Sequence, residues 1–151
     1  MADLYGVAIG GGLTGNVDDN ARKILGDGAS GVGPYTRFGT PQLQAIKVVS
    51  SAYDFTTTPA AANSNLSKAV RGIQQLGEIY YVGIPTASGA NQFVALINLN
   101  NTYNGASQGS GTTGTSANGS YDAIEADILA ELGGSGTVTI TNVALTGLTF
   151  A

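Results

Sequence analysis

The residues of this chain that could do chemistry are few, and their types limit the reactions open to them. There is no histidine among the 151 residues, so the commonest general base and the commonest imidazole metal ligand are missing. There is no cysteine either. That removes disulfides, thiolate nucleophiles, and zinc, copper or iron sites built on soft or imidazole ligands. Ser-His-Asp and Cys-His catalysis lack a required member. Gly105-Ala106-Ser107-Gln108-Gly109 matches the G-x-S-x-G nucleophile elbow. An elbow needs a strand before it, a helix after it and a base in reach. This one lies in a glycine- and serine-rich stretch, and no S-x-x-K spacing exists around Lys23, Lys47 or Lys68. Ser107 is therefore read as a loop residue.

A second motif, Gly10-Gly11-Gly12-Leu13-Thr14-Gly15, is a literal G-x-G-x-x-G. In a dinucleotide fold such glycines let the backbone approach a pyrophosphate at a helix N-terminus. That reading needs a long amphipathic helix, a second parallel strand and then an acidic residue. Only a short helical pattern follows, and Asp27 comes too early, so the segment is read as a hinge or close-packing element. Carboxylates are the third option. Asp18 and Asp19 fall in one candidate helix, and Asp122, Glu125, Asp127 and Glu131 in another. Acids three apart share a face and suit a hard cation or acid-base work. With no second converging cluster, they are read as solvating outer faces and complementing helix N-termini. No catalytic residue, no cofactor and no metal is assigned from the sequence.

Composition points away from charged partners. Charged residues are 11% of the chain, and the net charge is −4. The six bases, Arg22, Lys23, Arg37, Lys47, Lys68 and Arg71, form no block, so neither nucleic acid nor an anionic membrane is expected as a partner. No segment reaches the roughly 20 apolar residues of a membrane span. The start, Met1-Ala2-Asp3-Leu4-Tyr5-Gly6, has no basic region before an apolar run. No signal peptide is expected, and synthesis is expected in the cytoplasm. Polar positions are mostly Gly, Ser, Thr, Asn and Gln, whose small neutral side chains suit permanent packing against neighbours. By this criterion alone an assembly subunit, expected to form a homo-oligomer, is favoured over an unusual monomer.

The elements that would position these residues divide the chain in two. Residues 1–41 form a glycine-rich arm, with a short strand expected at 4–9 and a short helix at 17–25 capped by Asn16. Residues 42–151 form the core. Within it, 42–50 reads as a strand. Residues 65–76 read as a helix with Leu66, Ala69, Val70, Ile73 and Leu76 in one stripe, capped by Ser64 and ended by Gly77. Residues 78–84 and 92–99 read as a hairpin. Residues 100–119, NNTYNGASQGSGTTGTSANG, are a low-complexity loop. Residues 121–132 read as a second helix capped by Ser120, and 137–150 as a strand that changes phase near Asn142. The order β-α-β-β-α-β predicts an α+β fold, a ferredoxin-like sandwich with both helices on one sheet face. The other face is expected to be open or covered by the arm. Tyr80 and Tyr81 are adjacent on a strand, so one is expected in the core and the other exposed. The candidate interaction residues are Gly10, Gly11, Gly12, Gly15, Tyr35, Phe38, Tyr80 and Tyr103.

The texture resembles virion structural proteins of tailed bacteriophages, especially those infecting marine cyanobacteria. The shared features are low charge, no cysteine, a glycine-rich start, threonine-rich strands, and stretches such as Tyr53-Asp54-Phe55-Thr56-Thr57-Thr58-Pro59 and residues 105–119. The resemblance carries no diagnostic motif. It implies a non-enzymatic, head-associated protein of the capsid decoration, cement or knob kind, or a tail component. Its partners would be other virion proteins, and its location the virion. A small ferredoxin-like ligand-binding domain is the alternative, and a hydrolase the least favoured.

Overall fold

A computed structural model of the chain describes residues 3–4, 7–8, 15–16, 35–36, 42–59, 61–85, 89–99, 121–144 and 149–150. Its elements are β1 (Asp3–Leu4), β2 (Val7–Ala8), β3 (Gly15–Asn16), β4 (Tyr35–Thr36), β5 (Gln42–Ser50), α1 (Asn65–Ile73), a 3-10 turn (Gln74–Leu76), β6 (Gly77–Gly83), β7 (Gln92–Leu99), α2 (Asp122–Leu132), β8 (Val138–Asn142) and β9 (Thr149–Phe150). The fold is α+β. Its centre is an antiparallel sheet in which β5 pairs with β7 on one side and β8 on the other, while β6 pairs with β7. Where β8 stops along β5, β4 takes over, with Tyr35 opposite Leu43 and Thr36 opposite Gln42.

Register separates the two sheet faces. Ile46, Val48, Phe93, Ala95, Ile97 and Ile140 are buried on one, because cross-strand partners share a face. The inward sides of both helices meet them: Leu66, Ala69, Val70 and Ile73 from α1, and Ile124, Ile128 and Leu132 from α2. Phe55, from the segment ahead of α1, packs edge-on against Phe93 at 4.9 Å between ring centroids. The opposite face carries Ala45, Tyr81, Val94 and Leu96, which are also buried, by this chain alone. Of the two expectations for this face, open or covered by the arm, the open one is therefore not found at these positions. The cause is visible in β7, where Phe93 through Ile97 are five consecutive buried residues, an apolar run that needs cover on both sides. Toward β8 this face opens, with Lys47 and Val49 half-buried and Thr139 exposed.

The helix pair fits closely because Gly72 has no side chain: a Cβ there would lie 2.5 Å from Ile128 Cγ1. Ser64 caps α1 as expected, its Oγ accepting from Ser67 N at 3.0 Å. The cap of α2 is Tyr121 rather than Ser120, with no side-chain capping bond. Tyr121 is fully buried, and its hydroxyl donates to Asn142 Oδ1 on β8. The strand expected over 137–150 ends at Asn142, and β9 joins a separate two-stranded pairing with β3. The single strand expected at 4–9 is instead two, β1 and β2, with Leu4 opposite Val7. Asn16, expected as a helix cap, lies in β3, and the helix expected at 17–25 lies outside the described residues.

Candidate functional site

Among the described residues, two surface regions bring polar groups together. The first is the junction of three loops at one end of the sheet. Ser50 Oγ accepts from Ala52 N and Tyr53 N at 3.1 and 2.9 Å. Asn91 Nδ2 donates to Ser50 O at 2.7 Å, and Phe55 N to Ala90 O at 2.8 Å. Thr137 N donates to Ser51 Oγ at 2.8 Å, and Ser135 N to Tyr53 Oη at 2.9 Å. Hydrogen bonding from the Ser135 side chain, and then from its backbone N–H, stabilises the phenolate and lowers the Tyr53 pKa from its ordinary value. Asp54 accepts from Thr56 Oγ1 and Thr56 N at 2.6 and 2.5 Å, which lowers its pKa too. The serines, Tyr53, Asp54 and Asn91 are thus engaged in holding loops to one another, which is a structural use of their polarity.

The second region is a groove of about 400 Å³ on the outer side of the helix pair. Lys68, Arg71 and Gln75 from α1 and the turn after it form one wall, Asp127 and Glu131 from α2 the other, and Gly72 and Ala130 lie between them. Spacings of three and four residues put each set on one helix face. Gln75 Nε2 donates to Asp127 Oδ2 at 3.3 Å across the groove. Arg71 Nη1 donates to Ala62 O at 2.8 Å, which fixes the guanidinium beside the loop ahead of α1. Arg71, Gln75, Asp127, Ala130 and Glu131 are exposed. The groove therefore presents a basic row and an acidic row side by side in water.

The carboxylates grouped together in the sequence do different work. Asp122 is exposed, whereas Glu125 is half-buried and its Oε2 accepts from Ile140 N at 2.8 Å. Burial raises the Glu125 pKa, against the lowering effect of that bond. No group of three or more candidate metal-ligating side chains occurs among the described residues. No helix among them is long and apolar enough to cross a membrane.

Of the interaction residues expected from sequence, Gly15, Tyr35 and Tyr80 lie among the described residues. Gly15 lies in β3 opposite Phe150, and Tyr35 lies in β4 opposite Leu43. Tyr81 is 3% exposed and sits opposite Leu96. Tyr80 is half-buried against the core, not exposed. The reason is a register shift between Ile79 and Tyr81, which leaves Tyr80 as the extra residue of a bulge and breaks the simple alternation assumed from sequence. Gly10, Gly11, Gly12, Phe38 and Tyr103 lie outside the described residues, as do Ser107 and the G-x-S-x-G motif. In the sequence the groove residues are legible only as the outward sides of two helices. Their signal is the opposite sign of charge on those two sides, which acquires meaning once the helices lie next to each other. No protein-family model matches the chain, and comparison with curated proteins and with solved structures found no match.

Proposed function

We propose that this protein is a non-enzymatic structural subunit that works through protein contacts, and that the outer surface of its helix pair is one contact face. The observation that carries this reading is the pairing of a basic and an acidic row on an exposed helix layer. Such a surface is complementary to another protein surface with the same two rows, and charge complementarity fixes orientation between partners. The sheet offers less, because the middle of both faces is already buried by the chain itself. Residues 6–39 and 100–119 supply further contacts in this reading.

The core is proposed to be ferredoxin-like. Supporting this are the sequence order of β5, α1, β6, β7, α2 and β8 and the spatial order β8-β5-β7-β6, in which each helix joins two strands separated by a third. The viral setting, as a head-associated decoration, cement or knob protein, rests on the resemblance in composition. Its partners are then other virion proteins, and its place is the virion.

The test is the solution mass of the purified chain by sedimentation, from micromolar to millimolar concentration. Self-association is expected. A second reading has one observation in its favour: about 400 Å³ with opposite charges on facing walls lies within the size range of small-ligand sites and suits a zwitterion. Titration with a panel of free amino acids, followed by amide chemical shifts, separates the two. A strictly monomeric chain with saturable shifts at Lys68, Gln75, Asp127 and Glu131 would replace the assembly reading with a ligand-binding one.

A further inference from the structure

We propose that the partner seated on the helix layer is a second copy of this chain, related by a two-fold axis parallel to the helices. This rests on the assembly reading above and adds the occupant, the surface and the symmetry. The two helices run in opposite directions along the groove. Gln75, past the end of α1, bonds Asp127 in the middle of α2, and Gly72 meets Ile128. Lys68, earlier in α1, shares the groove with Glu131, near the end of α2.

Two simple two-fold arrangements stack one such layer on another. An axis across the helices places α1 on α1 and α2 on α2, so bases face bases and acids face acids. An axis along the helices places α1 of one copy on α2 of the other and preserves level. Lys68 then lies over Glu131 of the second copy, and Gln75 over Asp127 of the second copy. The same contacts recur in reverse, as an isologous interface requires. Like-charge juxtaposition disfavours the first arrangement and opposite charge favours the second. The outer side of α2 also admits close approach, since Ala123, Ala126 and Ala130 are exposed there and have no rotamers to order.

The surface is small. Helices of 9 and 11 residues are about 14 and 17 Å long, and two side by side at roughly 10 Å offer on the order of 300 Å² per copy. A stable pair usually buries about 800 Å² per partner. The contact is therefore weak alone, and becomes effective where several contacts act together in an assembly.

Charge exchange tests this. Sedimentation equilibrium is run on the intact chain, on Lys68→Glu, on Glu131→Lys, on the chain carrying both substitutions, and on an equimolar mixture of the two single variants. Circular dichroism confirms that each remains folded, as substitution outside the buried core should allow. Each single reversal puts two like-charge contacts into the pair and is expected to weaken association roughly tenfold or more. The double variant and the mixture restore opposite charges and are expected to recover to within about threefold of the original. Self-association that ignores all these changes would overturn this interface while leaving the assembly reading in place. A chain that stays monomeric to millimolar concentration would overturn the two-fold pair, and the assembly reading falls with it where free amino acids also give saturable shifts along the groove.

Discussion

Helices α1 and α2 lie side by side against the same sheet face, yet they are held there by different kinds of bond. Around α1 the partners are close in sequence. Ser64 Oγ accepts from Ser67 N at 3.0 Å and donates to Pro59 O at 2.9 Å. Ser67 Oγ donates to Ala61 O at 2.5 Å, and Arg71 Nη1 to Ala62 O at 2.8 Å. Around α2, apart from the Gln75–Asp127 bond, the partners belong to β8. Tyr121 bonds Asn142, 21 residues away, and Glu125 takes the N–H of Ile140, 15 residues away. One helix is fastened by its own leader segment and the other by the edge of the sheet. The Glu125 bond also occupies an outward N–H of β8, a strand that pairs only with β5 among the described residues, and an occupied N–H is less available to a foreign strand.

The comparison predicts how each fastening fails. The largest effect is expected from Phe55→Ala, which removes the ring that anchors the leader of α1 to Phe93. A fully buried Phe truncated to Ala costs about 3–5 kcal/mol, measured as a drop in unfolding free energy in urea. Next comes Gly72→Ala, at the contact common to both helices. Its Cβ drives Ile128 aside at about 1–3 kcal/mol, against a gain of about 1 kcal/mol in helix propensity. Net destabilisation is expected. A stabilised variant would show that the helix pair yields easily. Ser64→Ala removes the cap of α1 and is expected to cost about 1 kcal/mol, with amide exchange rising over residues 65–68 and not in α2.

The smallest effect is a change of slope. Burial raises the folded pKa of Glu125 above its unfolded value, so the folded state holds this proton more tightly than the unfolded state. Its contribution to stability is fully present below the unfolded pKa and is lost as pH rises through the folded pKa. Asp54, with a lowered pKa, acts in the opposite sense at lower pH. In Glu125→Gln the amide oxygen still accepts from Ile140 N, while the titration is gone. The stability difference between the two proteins should therefore change with pH across and above the ordinary glutamate range, in favour of the variant as pH rises. A constant difference would contradict this account of Glu125.

Legibility in the sequence follows the same division. The stripe and cap of α1 can be read because the periodicity and Ser64 lie within one short segment, whereas the helix expected to run to residue 76 ends at Ile73 and Gly77 ends the 3-10 turn that follows. The extent of β5 and β7 is equally plain from their apolar runs. Local pattern points to Ser120 as the cap of α2, whereas what fixes that helix end is a distant asparagine. Alternation points to an exposed tyrosine on β6, whereas the bulge at Tyr80 depends on the partner strand, which no local pattern contains. The acids of α2 look alike along the chain, yet Glu125 is turned to the sheet while Asp127 and Glu131 face the groove. Only their position relative to β8 and α1 separates them.

The most direct test of the central claim, that the helix layer is a contact face, is amide hydrogen exchange at micromolar and at millimolar concentration. The account predicts that protection gained on concentration is greatest over residues 65–73 and 122–132, with β5, β6 and β7 protected equally at both. Protection that rises in the sheet and not in the helices, or a mass that rises with no change in either helix, would contradict it.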